Sequence, residues 1–277
     1  MNLLTVDHIT KVFTQRKVFE DTSFYLQEQE KVGIIGINGT GKSTLLKMIA
    51  GMEEPDSGEI IYANQLVIHY LQQMPEFDPD ASVLESVLSY ANVGSVHKEN
   101  TQDEHEMWNL ESSAKSMMTK LGIYDFEEKT GHLSGGQKKR LALVAALLTP
   151  CDVLLLDEPT NHLDAQMAEW LENYLKNYRG AMIMVTHDRY FLDSVCNRIA
   201  EVDHGKIYSY ETNYSGYLEA RAQRLESLEV GERKRQAFLN GMLSADCDGS
   251  VFVKNIIWTI ASIRVQNLQS GENNLSC

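Results

Sequence analysis

The sequence predicts an α/β fold in which a parallel sheet carries helices, with an antiparallel β region before it and a helical segment inserted into it. Three apolar runs predict buried strands, at residues 31–35, 153–156 and 181–186. Continuous apolarity is typical of parallel strands that are covered on both faces. Helical patterns follow the first two runs, at 45–50 and 165–177. This alternation of strand and helix is the pattern of a parallel α/β core.

The composition is that of a globular protein, because 43% of the 277 residues are hydrophobic. A net charge of −14 argues against a chain that coats nucleic acid through charge alone, but it does not exclude a local basic patch. The cysteines show no metal-ligand spacing, which predicts reduced thiols in a cytoplasmic protein. The N-terminus lacks a signal pattern and no apolar run is long enough to span a bilayer, so a partner is expected to supply any membrane part.

A glycine-rich loop at residues 36–44 matches a phosphate-binding motif, and it lies between a predicted strand and a predicted helix, as that motif requires. Glycines let several backbone N–H groups face one anion, and the helix N-terminus adds positive charge. We expect Lys42 to reach the β- and γ-phosphates and Ser43 to ligate Mg²⁺. A glycine turn in an unrelated α/β protein is the competing interpretation. The candidate nucleotide-binding residues of this loop are Gly36, Ile37, Asn38, Gly39, Thr40, Gly41, Lys42, Ser43 and Thr44.

Two further candidates lie at the ends of predicted strands. Phe13 lies between predicted strands at 3–9 and 23–26, and its ring could stack on a purine base. A core or surface aromatic explains Phe13 nearly as well. Gln73 follows a predicted strand at 66–71, and its amide oxygen could ligate Mg²⁺ and position water. A lone glutamine is weak support, so this assignment depends on the motifs that follow.

Acidic residues end the second buried strand, and a histidine follows the third. Asp157 is expected to hold Mg²⁺ through water, and Glu158 is expected to polarise the attacking water as a general base. His187 could contact a γ-phosphate at the same edge, because ligands of parallel sheets bind at the carboxyl ends of strands. A solvated acidic strand end and a structural histidine are the competing interpretations.

A second helix start, Ser134–Gln137, also suits an anion, because a serine and two glycines open an apolar helix. A capped helix start, which is common, is the competing interpretation, although two such helix starts in one chain are less common. A single nucleotide does not need both helix starts, so the second is expected to serve a nucleotide held by another copy.

Taken together, these motifs resemble those of the nucleotide-binding domain of ABC ATPases over about residues 1–210. The order is GINGTGKST, a glutamine, LSGGQ, VLLLDEP, a loop that ends at Asp164, and THD. The resemblance implies a P-loop NTPase core with a helical signature subdomain at about 76–148. It also implies that Phe13 stacks on the base, that Gln73, Glu158 and His187 are catalytic, and that the signature residues Ser134, Gly135, Gly136 and Gln137 and the loop residue Asp164 contact nucleotide.

A narrower resemblance points to the ABC-F branch, which has two ATPase domains in one chain and acts on ribosomes. The Asn161–His162 pair, residues 188–193 and residues 213–221 carry it. This sequence has one phosphate loop and one signature, so we expect a single ATPase half. A charged linker-like helix is expected at 211–240. The segment 241–277 has no counterpart in the resemblance and is expected to be a non-native tail of a truncated or frame-shifted product.

The resemblance implies Mg-dependent ATP hydrolysis at a head-to-tail interface of two domains, with Ser43, Gln73 and Asp157 around the metal and Ser134–Gln137 acting in trans. The implied partners are ATP, a second ATPase domain and the ribosome, and the implied process is translation or antibiotic resistance. The alternative is the ATP-binding subunit of a transporter that works with a separate membrane protein. A chromosome-maintenance ATPase is disfavoured, because no long coiled coil interrupts the domain.

Overall fold

A computed structural model describes residues 1–13, 16–71, 77–93, 104–148 and 150–245. The chain divides into two compact units, Met1–Leu218 and Glu219–Cys277. The strands in chain order are β1 (Asn2–Phe13), β2 (Arg16–Gln27), β3 (Lys31–Ile35), β4 (Ser57–Tyr62), β5 (Ile68–Leu71), β6 (Val153–Asp157), β7 (Ala181–Val185), β8 (Arg198–Asp203) and β9 (Lys206–Tyr210). The helices are α1 (Lys42–Ile49), α2 (Val83–Val93), α3 (Glu104–Lys120), α4 (Gly135–Leu148), α5 (Ala165–Asn177), α6 (Arg189–Val195) and α7 (Tyr214–Ala245).

The central sheet has the strand order β5-β6-β7-β3-β8-β9, and all of its neighbouring pairs except β8–β9 are parallel. Every residue of β6 and β7 is buried, which explains why both strands read as continuous apolar runs. Because β6, β7 and β3 are adjacent and parallel, the residues that follow them meet at one edge of the sheet. This order places the phosphate loop and the acidic strand end together.

A separate antiparallel sheet, with the order β2-β1-β4, contains the N-terminal strands. Arg198 of β8 joins this sheet to the central one, and it is only 2% exposed. Its guanidinium donates to the backbone oxygen of Tyr25, to Glu30 Oε2 and to Ser209 Oγ, each at 3.0 Å. It also lies 4.1 Å from the centre of the Tyr25 ring. Arg198 thus fixes the antiparallel sheet against the strand beside β3.

Replacing Arg198 with methionine is expected to lower the free energy of unfolding by about 3 kcal/mol, because it leaves the partly buried Glu30 carboxylate without its cation. Urea denaturation of the purified chain measures this change. Lys17→Met is the matched control, since Lys17 is an exposed cation of β2 and its pair with Glu20 contributes little. Equal denaturation midpoints for both variants would contradict the role given to Arg198.

Helices α2, α3 and α4 pack together as a helical segment beside β5. The start of α2 has a capping box, in which the Glu85 N–H donates to Ser82 Oγ and the Ser82 N–H donates to Glu85 Oε2. Residues 141–148 of α4 are all buried, because the helix has neighbours on several sides. The polar composition of residues 94–106 predicts a surface loop, and this prediction is wrong at its C-terminal end, because α3 already begins at Glu104.

The first turn of α7 belongs to the first unit, which ends at Leu218. Tyr217 is 4% exposed, and its hydroxyl donates to Glu201 Oε1 at 3.0 Å. Its ring packs edge-on against Tyr210, with centroids 5.1 Å apart. The second unit continues α7 to Ala245, and the rest of the tail expected at 241–277 lies outside the described residues.

Candidate nucleotide site

The phosphate loop connects β3 to α1 and depends on glycines. Gly39 and Gly41 have φ values of +80° and +102°, in the left-handed region that favours glycine. A Cβ on Gly36 would lie 2.6 Å from the backbone oxygen of Val202, so the loop passes too close to β8 for any side chain there. Helix α1 begins at Lys42, and no side chain of the described residues caps this helix start, so the N–H groups of its first turn suit an anion.

Lys42 lies over the loop, and its side-chain ammonium donates to the backbone oxygens of Gly36 at 2.8 Å and Ile37 at 3.0 Å. Burial lowers the pKa of Lys42, while the Glu158 and Asp157 carboxylates act in the opposite direction. The effect of these carboxylates on Lys42 means that the loop and the acidic strand end share one electrostatic environment.

Asp157, the last residue of β6, is 1% exposed, and neither of its carboxylate oxygens has a hydrogen-bond partner among the described residues. A buried carboxylate without a partner is costly unless a cation compensates it. Oxygen donors of this kind, together with the Ser43 hydroxyl in the same cavity, fit Mg²⁺. Gln73, the third expected magnesium ligand, lies outside the described residues.

Glu158 is 7% exposed and has a φ of +53°, an unusual conformation for a residue with a side chain. Its N–H donates to the backbone oxygen of Val185 at 2.8 Å, which holds the turn after β6 against β7. Its Oε1 lies 3.4 Å from His187 Nε2. Burial raises the pKa of Glu158, and the neighbouring His187 opposes that rise. A carboxylate with a raised pKa suits a general base.

Residues of the phosphate loop, together with Asp157, Glu158 and His187, surround one cavity of about 560 Å³. Of the residues expected at the site, the cavity is lined by Phe13, Asn38, Gly39, Gly41, Lys42, Ser43, Thr44, Asp157, Glu158 and His187. Gly36, Ile37 and Thr40 belong to the same loop but do not line it. Phe13 is 43% exposed, and Lys11 Nζ lies 5.3 Å from its ring centre.

The signature segment lies apart from the cavity. Ser134 Oγ donates to Gln137 Oε1 at 2.8 Å and accepts from the Gln137 N–H at 3.3 Å, so the two side chains cap the start of α4. A Cβ on Gly136 would lie 3.4 Å from the Cβ of His162, which brings this start beside the loop after β6. Asp164 caps α5 by accepting from the Met167 N–H at 2.9 Å. Ser134, Gly135, Gly136, Gln137 and Asp164 therefore lie outside the cavity of their own chain.

Sequence reasoning missed several residues at the site. Four further residues line the cavity, namely Arg16, Val18, Asn161 and Val185. Lys139 on α4 is 7% exposed; burial lowers its pKa, and the Asp157 and Glu158 carboxylates oppose that change. Asn161 lies in the loop that ends at Asp164, so its position offered a signal, whereas Lys139 lies two residues after LSGGQ. Arg16 and Val18 stand in no motif.

Comparison with known protein families identifies this arrangement. A family model described as ABC transporter matches residues 19–161, and a second with the same description matches residues 200–245. The chain belongs to the ABC transporter family. It therefore carries an ABC-type ATPase domain, and the family resemblance in the sequence is confirmed.

The chain is similar to curated proteins of bacteria. One, named uncharacterized ABC transporter ATP-binding protein YfmR from Bacillus subtilis, is 40% identical over 272 residues, covering 88% of this chain and 43% of that protein. Another, named energy-dependent translational throttle protein EttA from Haemophilus influenzae, is 36% identical over 260 residues, covering 84% and 47%. The chain thus spans less than half the length of these relatives.

Solved ABC structures confirm the predicted fold. An ATP-binding cassette solved as a dimer in a post-hydrolysis state with ADP and Pi matches with a TM-score of 0.66 at 24% identity, over 76% of this chain and 98% of that one. An ATP-binding subunit of an ABC transporter matches with the same TM-score at 22% identity, covering 76% and 90%. Within the described ranges, no helix combines the length and apolar character that a bilayer crossing needs.

Proposed function

We propose that this ABC domain binds MgATP in the cavity and hydrolyses it when the signature segment of a second ATPase domain closes over the nucleotide. One observation carries this proposal: Lys42, Asp157 and Glu158 share one cavity, whereas Ser134 and Gln137 lie outside it in their own chain. A signature that cannot serve its own nucleotide is explained if it serves another. A second copy of this chain or a separate half would supply the missing side.

The proposed chemistry is in-line attack of water on the γ-phosphate, which depends mostly on positioning and electrostatics. Lys42 binds the β- and γ-phosphates as a positive charge. Asp157, Ser43 and Gln73 would hold Mg²⁺, which when bound neutralises charge on the phosphate oxygens. Glu158 orients the water and accepts its proton, and His187 steadies the Glu158 carboxylate from 3.4 Å.

We further propose that the domain acts on the ribosome, in translation or antibiotic resistance, as an ABC-F protein. The relatives named translational throttle support this, as does the Asn161–His162 pair in the loop after β6. A ribosomal site of action implies a cytoplasmic protein. The second candidate is the ATP-binding subunit of a transporter with a separate membrane protein, which the relative named ABC transporter ATP-binding protein favours.

Co-sedimentation separates these two functions. We expect the chain to pellet with purified 70S ribosomes, and a Glu158→Gln variant held with ATP to bind them about tenfold more tightly than without nucleotide, equivalent to ~1.4 kcal/mol. Membrane vesicles from the cells that supply the ribosomes serve as the competing surface. Retention on the vesicles, with no ATP-dependent ribosome binding, would contradict the ribosomal role and favour the transporter subunit.

A further inference from the structure

The hairpin of the antiparallel sheet brings a cation to the phosphate loop. Arg16 is the first residue of β2 and pairs across the hairpin with Phe13. Its side chain lines the nucleotide cavity, and its Nη1 lies 3.6 Å from the position that a Cβ of Gly39 would occupy. One hairpin end therefore presents an aromatic ring and a guanidinium to the same cavity.

The guanidinium of Arg16 is available for a ligand. Within the described part of the chain it forms no hydrogen bond or ion pair. The neighbouring cation Lys17 differs, because it pairs with Glu20 at 2.7 Å and does not line the cavity. The lysine that lines the cavity, Lys42, already donates to two backbone oxygens of the loop.

A second cation in the cavity would offset the negative charge that gathers there when ATP binds. ATP is a polyanion, and the cavity also contains the Asp157 and Glu158 carboxylates, in a chain whose net charge is −14. An arginine stays charged at every physiological pH and presents five N–H donors in a planar fork that matches phosphate oxygens. Beside the Gly39 backbone, that fork stands where phosphate is expected.

We infer that Arg16 is a further polyphosphate-binding residue of this site. Its guanidinium binds a phosphate group from the hairpin side, while Lys42 binds from the side of α1. Phe13 and Arg16 then act as a pair, in which the ring contacts the base and the guanidinium contacts the phosphates. This inference rests on the proposed binding of ATP in the cavity.

Calorimetric titration of four proteins tests it: wild type, Arg16→Ala, Arg16→Lys and the matched control Lys17→Ala. Each is titrated with MgATP and with inorganic tripolyphosphate, which has neither base nor ribose. We expect Arg16→Ala to weaken both ligands by about tenfold, and Lys17→Ala to leave both unchanged. Arg16→Lys should fall between them, because it keeps the charge without the fork. Thermal melting confirms that each variant is folded.

Two results would overturn the inference. Unchanged affinity of Arg16→Ala for both ligands would mean that the guanidinium contacts no phosphate. A loss confined to ATP, with tripolyphosphate unaffected, would move the contact to the base or ribose. Failure of the proposed nucleotide site itself looks different, because the folded wild type would then bind neither ligand.

Discussion

Replacing Glu158 with glutamine is expected to lower the ATPase rate by about 10²–10⁴-fold while ATP still binds. Glutamine has nearly the same shape, so the turn at φ +53° and the backbone bond to Val185 are kept. It cannot accept the proton of the attacking water. The rate of phosphate release and the affinity for ATP, measured on the same preparation, separate these two effects.

Glu59→Gln is the matched control, because Glu59 is an exposed carboxylate on β4 and does not line the cavity. Its rate should equal that of the wild type. If ATP holds two domains closed and hydrolysis releases them, the Glu158→Gln protein with ATP should also elute as a larger species in size-exclusion chromatography. A variant that hydrolyses ATP at the normal rate would remove Glu158 from its assigned role.

Mixing two inactive variants is expected to restore ATPase activity. Lys42→Ala removes the cation of the phosphate loop, and Ser134→Arg places a bulky side chain at the exposed signature helix start. A mixed head-to-tail dimer has one site with both defects and one site with neither. Random pairing of equal amounts yields about a quarter of the wild-type sites, provided that the two sites act independently.

The measurement is phosphate release by each variant alone and by their mixture, at concentrations where wild-type activity rises with protein. Ser134→Ala is a useful companion, because it removes the hydroxyl without adding bulk, and loss of the α4 cap costs about 1 kcal/mol of stability. A mixture as inactive as its components, beside an active wild type, would contradict a site shared between two copies. Inactivity of the wild type as well would point to a separate partner half.

The sequence predicted the elements whose chemistry is local. Asp157 and Glu158 stand at the end of an apolar strand, and Lys42 begins the helix that follows another strand and its loop. Their motifs and the topology of a parallel sheet therefore sufficed to bring them together. Residues 198–203 and 206–210 predict a closing hairpin across His204–Gly205, and β8 and β9 have these bounds. Continuous apolarity identified β6 and β7 because both faces of those strands are buried.

What the sequence did not predict depends on contacts between distant segments. Arg16 reaches Gly39 only because the β1–β2 hairpin lies beside the phosphate loop, and no motif records that approach. Tyr217 in the first turn of α7 donates to Glu201 of β8, a pairing that no local pattern indicates. Asp164 caps α5, and a local sequence pattern could have predicted this cap. The family resemblance led instead to the prediction that Asp164 contacts nucleotide.

The proposed nucleotide is a bivalent ligand, because it would contact both sheets, and Arg198 holds these two sheets together. The base would meet Phe13 on one sheet, and the phosphates would meet the loop that follows β3 of the other. For a bivalent ligand, the second contact forms at an effective concentration set by how firmly the two halves of the receptor are held. Loosening the Arg198 attachment should therefore weaken ATP binding, although Arg198 lines no part of the cavity.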